Sequence, residues 1–115
     1  MVIVFNVGYT ANPWSEKDMD RYGLGGTEKC VALVAKELSK QGHDVYVTGQ
    51  IHENNPEDNP RYLRYESLSK IPNTIDLLVG VNYIHYLVYF QDFDVKKNYF
   101  WIHNTEYYQW YQGEE

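Results

Sequence analysis

The chain has 115 residues, 43% hydrophobic and 23% charged, a composition typical of one globular domain and not of a disordered tail. Ten lysines and arginines against sixteen aspartates and glutamates give a net charge of -6, which disfavours nucleic acid as a partner. The single cysteine, Cys30, excludes an intrachain disulfide, and no segment approaches the roughly 20 apolar residues of a transmembrane helix, so a reducing cytoplasm is the default location.

The first half of the chain has the pattern of a strand, a helix and a second strand. Residues 1–8 form a continuous β-branched and aromatic run, which predicts a central parallel strand covered on both faces. The polar loop 9–26 is long enough to indicate a functional role. Residues 27–41 place apolar side chains on one helical face, Gly42 is suited to end that helix, and residues 44–48 predict the second strand.

The second half is predicted to complete a sheet. In chain order it contains a solvated loop at 50–60, a short third strand at 61–66, a turn at 67–73 with at most one helical turn, a buried fourth strand at 74–81, a short helix at 83–90 and a fifth strand at 98–102. This alternation predicts a three-layer, Rossmann-like α/β domain with a mainly parallel sheet. Short right-handed crossovers favour the strand order 3-2-1-4-5.

A sheet of this order has a preferred ligand position. Ligands bind beyond the carboxyl ends of the strands where the winding reverses, here between the first and fourth strands. The residues that the chain order brings to this point are Asn6 to Tyr9, Gly25 and Gly26 at the helix start, Asn82, and His103 with Asn104.

The segment Gly23-Leu-Gly-Gly-Thr-Glu28 places three glycines directly before the helix. The first amides of a helix are unpaired and its dipole favours anions, so a phosphate could bind at Gly25, Gly26 and Thr27. The alternative is that these glycines only permit a tight turn and close packing of the helix on the sheet. The loop is too long for a Gly-x-Gly-x-x-Gly dinucleotide motif, and the sequence contains no Gly-Lys-Ser/Thr triplet.

His103 directly follows the apolar fifth strand and is the histidine that the predicted topology brings to the ligand position. Its imidazole could donate a hydrogen bond to a ligand hydroxyl or to a developing charge, and the alternative is a hydrogen-bonded structural histidine. His43 is predicted at the opposite end of the sheet, in a structural role. The spacing of His52, His85 and Cys30 gives no metal site.

These motifs occur in a characteristic order. Gly25-Gly-Thr-Glu28 precedes an amphipathic helix, Gly42-His-Asp-Val-Tyr-Val47 follows it, and a later strand ends in Phe100-Trp-Ile-His103. This set resembles the amino-terminal domain of GT-B fold glycosyltransferases of family 4. The resemblance covers nearly the whole chain, although residues 51–73 carry no diagnostic residue.

The resemblance implies the acceptor-side half of a retaining glycosyltransferase, which moves a sugar from a nucleotide sugar to a hydroxyl of an acceptor glycan or other compound. The amides of Gly25 and Gly26 would contact the donor diphosphate, and His103 would be the catalytic residue at the transferred sugar. Thr27, Asn82 and Asn104 complete the expected substrate site. Neither a cofactor nor a bound metal ion is expected.

The family's second α/β domain, which binds the donor nucleotide, has no counterpart in residues 1–115. The chain is therefore expected to be a single domain of a longer protein, with negligible transfer activity alone. The alternative function is a non-catalytic module of the same fold that binds a glycan or a protein. A flavodoxin-like signalling or redox domain is disfavoured, because the acidic cluster of a phospho-acceptor site is lacking after the first strand.

Overall fold

A computed structural model describes residues 1–8, 14, 26–82 and 88–101. The described residues form five strands, β1 (Val2–Gly8), β2 (Asp44–Gly49), β3 (Arg61–Leu63), β4 (Thr74–Val81) and β5 (Asp94–Trp101), together with the helix α1 (Gly26–Lys40) and a 3₁₀ helix at Tyr65–Lys70.

The five strands form one sheet in the order β3-β2-β1-β4-β5. Every neighbouring pair is parallel, and Phe5 of β1 lies between Val47 of β2 and Val79 of β4. The predicted α/β fold and strand order are therefore confirmed. The winding reverses between β1 and β4, which are direct neighbours.

A hydrophobic cluster covers each face of the sheet, because alternate residues of a strand point to opposite faces. On one face Ile3 and Phe5 lie in a cluster with Val31 and Ala35 of α1. On the other face Val4 and Leu78 pack with residues that follow the strands, among them Leu68, Ile71 and Phe90. The sheet is thus the middle layer of three.

The edge strands depart from the prediction. β5 begins at Asp94 rather than at residue 98, because an exposed edge strand tolerates the charged side chains of Lys96 and Lys97, which conceal it from a hydrophobicity pattern. β3 ends at Leu63, and the chain then turns into a 3₁₀ helix that begins at Tyr65, where the sequence predicted a strand to residue 66 and a turn. α1 begins one residue earlier than predicted, at Gly26.

The loop 50–60 packs against the sheet, although its polar composition predicts a solvated loop. Ile51 and Pro60 are buried. The side-chain oxygen of Asn54 accepts a hydrogen bond of 2.8 Å from the backbone nitrogen of Tyr62, and that of Asn59 accepts one of 3.0 Å from Val45. These amides align the loop with β2 and β3.

Of the predicted helix at 83–90, residues 83–87 lie outside the described part, and residues 88–90 form a 3₁₀ turn. Within the described ranges, no helix combines the length and apolarity needed to cross a membrane.

Candidate functional site at the carboxyl edge of the sheet

The carboxyl ends of the strands and the beginning of α1 lie at the same edge of the sheet. α1 ends at Lys40, shortly before β2 begins at Asp44, where the backbone nitrogen of Asp44 bonds to the carbonyl of Met1 at 2.9 Å. A crossover helix runs antiparallel to the strands that it connects. Gly26 therefore lies toward the edge at which β1 ends.

The ends of β1 and β2 are in direct backbone contact. Gly8 and Gly49 both have positive φ angles, 66° and 138°, and the backbone nitrogen of Gln50 donates to the carbonyl of Gly8 at 2.9 Å. A Cβ atom at Gly49 would lie 2.6 Å from the Gly8 carbonyl oxygen, which is too close for any side chain. Glycine at position 49 is therefore a requirement of this approach.

Trp14 fixes one point of the long loop that follows β1. Its side chain is fully buried, its backbone pairs in parallel with Ile51, and its carbonyl accepts a 2.7 Å hydrogen bond from the nitrogen of His52. The indole packs edge-on against Tyr62, with ring centroids 5.6 Å apart. The loop is thus attached beyond the end of β2. The remaining loop residues, 9–13 and 15–25, lie outside the described part.

Asn6 is a polar residue in an otherwise apolar strand. Its side chain is 1% exposed, and its Oδ1 accepts hydrogen bonds from the Thr48 hydroxyl at 2.9 Å and from the Tyr65 hydroxyl at 2.8 Å. We call these three residues the Asn6 cluster. Because both hydroxyls donate to Oδ1, they fix the orientation of the amide.

Within the Asn6 cluster, Asn6 lies next to the point where the winding reverses, whereas Thr48 and Tyr65 lie on the side of β2 and β3. Asn6 pairs with Gly80 of β4 on one side and with Thr48 of β2 on the other. The Asn6 side chain lies on the face of the sheet that α1 does not cover, since its partner Tyr65 packs against the hydrophobic cluster on that face. The site therefore has a polar group on the face that α1 does not cover.

Asn82 directly follows β4 and adopts a left-handed backbone conformation, with φ 66°. Asparagine is among the few residues that tolerate this region. Its side chain is mostly buried, and its backbone nitrogen donates to the carbonyl of Trp101 at 3.0 Å. This bond links the residue after β4 to the last residue of β5.

Trp101 also connects the end of β5 to the centre of the sheet. Its ring lies edge-on to Phe5 of β1, with centroids 6.5 Å apart. The chain segment that continues toward His103 therefore starts from a strand end that is attached to both β4 and β1.

The structure describes some of the predicted site residues and not others. Gly26 and Thr27 are the first residues of α1, and Asn82 directly follows β4, so these three belong to the same edge of the sheet. Gly25, His103 and Asn104 lie outside the described residues. His43 precedes β2 at the opposite edge, as predicted.

The described polar groups around the ends of β1 and β4 are neutral, whereas the charged residue Arg64 follows β3 at the same edge. Asn6, Thr48 and Asn82 offer amides and a hydroxyl, and the start of α1 offers backbone amides. Such groups recognise ligand hydroxyls and anionic oxygens without a charged side chain. Within the described part of the chain, no cluster of three or more His, Cys, Asp or Glu residues could hold a metal ion.

Among the described residues, two acid–base groups have shifted pKa values: Tyr46, within β2, and Glu53, which lies beside the end of β3, away from β1 and β4. Burial, together with the charge of Asp44, raises the pKa of Tyr46 above its ordinary value of 10.0. Burial by itself would raise the pKa of Glu53, but hydrogen bonds from Ser67 and from the backbone of Arg64, together with the charges of Lys70 and Arg64, lower that pKa below its ordinary value of 4.5. Neither group contributes to the candidate site.

No protein-family profile, curated protein sequence or solved structure matches this chain.

Proposed function

We propose that the chain is the acceptor-side, amino-terminal domain of a retaining glycosyltransferase, which transfers a sugar from a nucleotide-sugar donor to a hydroxyl of an acceptor glycan or other compound. The observation that carries the proposal is the parallel sheet of order 3-2-1-4-5, with α1 beginning at the edge where β1 and β4 end. Sheets wound in this way bind their ligands at that edge.

The donor diphosphate is assigned to the amides of Gly25 and Gly26, with Thr27 beside them. α1 has 15 residues, so its dipole is fully developed and places about half a positive charge at its first turn. Two backbone amides in this field bind phosphate oxygens without a metal ion. Stabilising the departing diphosphate in this way lowers the barrier to transfer.

The transferred sugar is assigned to the residues that follow β4 and β5. Asn82 is bonded to Trp101, and His103 comes two residues after Trp101. In the proposal, the imidazole of His103 donates a hydrogen bond to a sugar hydroxyl near the reacting carbon, and Asn82 and Asn104 orient the sugar. Much of the rate gain of such an enzyme comes from orientation.

Catalysis in this proposal requires a second, donor-binding domain as partner. Residues 1–115 contribute one wall of the site, so we expect weak donor binding and negligible transfer by these residues alone. Measurable sugar transfer by the purified chain would contradict the requirement for a second domain.

The proposal is tested by titrating the chain with UDP-glucose and GDP-mannose in a calorimeter. A valine side chain at position 26 fills the space that a phosphate needs, so Gly26→Val should abolish binding. Leu33→Val is the matched control, because it places valine at an exposed position of the same helix, and it should bind normally. If neither nucleotide sugar binds, or if both variants bind equally, the assignment is wrong. Acceptor sugars that bind while nucleotide sugars do not would favour a non-catalytic glycan-binding module.

A further inference from the structure

Two tyrosines form a flat stack on the face of the sheet opposite α1. The ring centroids of Tyr65 and Tyr89 are 3.9 Å apart and their planes differ by 10°. Aromatic pairs ordinarily prefer offset or edge-on arrangements to a close parallel stack. The surrounding contacts must therefore hold both rings in place.

The inner ring is held by a buried hydrogen bond. The hydroxyl of Tyr65 donates to Oδ1 of Asn6 at 2.8 Å, and Thr48 donates to the same oxygen. Asn6 is 1% exposed and Thr48 is fully buried, so this anchor is rigid. The Asn6 cluster thus fixes the position of the Tyr65 ring over β1 and β2.

The outer ring is held through its neighbour in the chain. Phe90 is 3% exposed and packs against Phe93, with ring centroids 5.6 Å apart. Tyr89 itself is 39% exposed, and Val88 beside it is 66% exposed. The outer ring is therefore accessible to solvent while its backbone is anchored in the core.

We propose that Tyr89, supported by Tyr65, is a stacking platform for the pyranose ring of a neutral glycan. The C–H bonds of one sugar face carry partial positive charge and pack on the negative face of an aromatic ring. A preorganised ring binds without a further loss of side-chain entropy. The role of this glycan as the acceptor rests on the proposed function, whereas its binding does not.

The chain as a whole carries a net charge of -6, which works against a polyanionic ligand. Beside the platform the charges balance, because Arg64 and Glu66, the two neighbours of Tyr65 in the chain, are both exposed. These two residues give a phosphate no net attraction, whereas a neutral sugar needs none. Asn6, which anchors Tyr65, lies on the face of the sheet opposite α1, so the platform is separate from the diphosphate position proposed at the start of α1.

The test is a titration with methyl α-D-glucopyranoside, methyl α-D-mannopyranoside and methyl β-D-galactopyranoside, followed by nuclear magnetic resonance. We expect at least one of them to bind and to show intermolecular contacts with the ring protons of Tyr89. Tyr89→Ala should weaken that binding about three- to tenfold, whereas Tyr89→Phe, which keeps the ring, should bind as the native chain does. Tyr99→Ala is the control, because Tyr99 is a 57% exposed tyrosine on β5, and it should have no effect.

Three results would overturn the platform: no pyranoside binds, bound pyranosides show no contact with Tyr89, or uridine and adenosine bind to Tyr89 more tightly than any pyranoside. The contacts with Tyr89 are measured on the native chain, so they decide the question even if Tyr89→Ala does not fold. Tyr89→Ala should leave nucleotide-sugar binding unchanged, and Gly26→Val should leave pyranoside binding unchanged. The failure of the platform is thereby distinguishable from the failure of the donor site.

Discussion

Replacing Gly49 by alanine tests the close contact that shapes the carboxyl edge of the sheet. The added Cβ would meet the Gly8 carbonyl oxygen at 2.6 Å and the Gly8 nitrogen at 2.9 Å. Both atoms belong to the backbone, so the clash can be relieved only by moving the ends of β1 and β2 apart. The φ angle of 138° at Gly49 is, in addition, one that alanine rarely adopts.

The expected loss has two parts. A strained backbone conformation costs about 1–3 kcal/mol, and overpacking costs about 1–3 kcal/mol more. Gly42→Ala separates them, because Gly42 also has a positive φ angle, 95°, but a Cβ there would meet nothing within 4 Å. Gly42→Ala should therefore show the conformational part alone.

The assay is urea unfolding of the native chain and both variants, followed by circular dichroism. We expect Gly49→Ala to lose about 1–3 kcal/mol more of the free energy of unfolding than Gly42→Ala does, with unchanged denaturant slopes. Equal losses in the two variants would refute the argument that the ends of β1 and β2 touch.

Two further predictions concern polar contacts. Thr48→Val removes the hydroxyl that bonds to Asn6, so the free energy of unfolding should fall by about 0.5–1.5 kcal/mol in urea unfolding, and an unchanged or higher value would contradict the Asn6 cluster. For Glu53, the lowered pKa means that its carboxylate stabilises the fold above pH 4.5 and that this contribution is lost as the pH falls through the folded-state pKa. Glu53→Gln should therefore be less stable near neutral pH and lose less stability on acidification, as measured by urea unfolding at several pH values, and parallel pH profiles would contradict the shift.

The central elements of the fold could be predicted from the sequence, because their burial requires a recognisable pattern of apolar residues. β4 spans Thr74–Val81, as predicted, β1 begins one residue later than predicted, and α1 is shifted by one residue at both ends. These elements carry continuous or periodic apolar residues that match their environment. The strand order then followed from the rules on crossover connections.

The periphery could not be predicted from the same signals. β5 is largely solvent-exposed, so its first residues look like a loop. Tyr65 lies in an alternating pattern that predicts a strand, yet its ring belongs to the layer that packs on the sheet. Only the tertiary contacts decide between these two environments.

The sequence indicated at which edge of the sheet the candidate site should lie, but it did not reveal the contacts between the residues there. The chain order brought Asn6 to the carboxyl edge, but its bond to Tyr65 joins residues 59 positions apart, which no local pattern reveals. The same holds for the stack of Tyr65 on Tyr89. The roles of Gly25, His103 and Asn104 stay predictions.

The most direct test of the central claim is to map the backbone amides that respond to UDP-glucose or GDP-mannose in heteronuclear resonance spectra of the chain. The proposed donor site predicts that the amides of Gly26, Thr27 and Asn82 shift with a common saturation curve, while those of His43 and Asn59, at the opposite edge, do not move. Shifts confined to the opposite edge, or spectra unchanged at high nucleotide-sugar concentration, would contradict it.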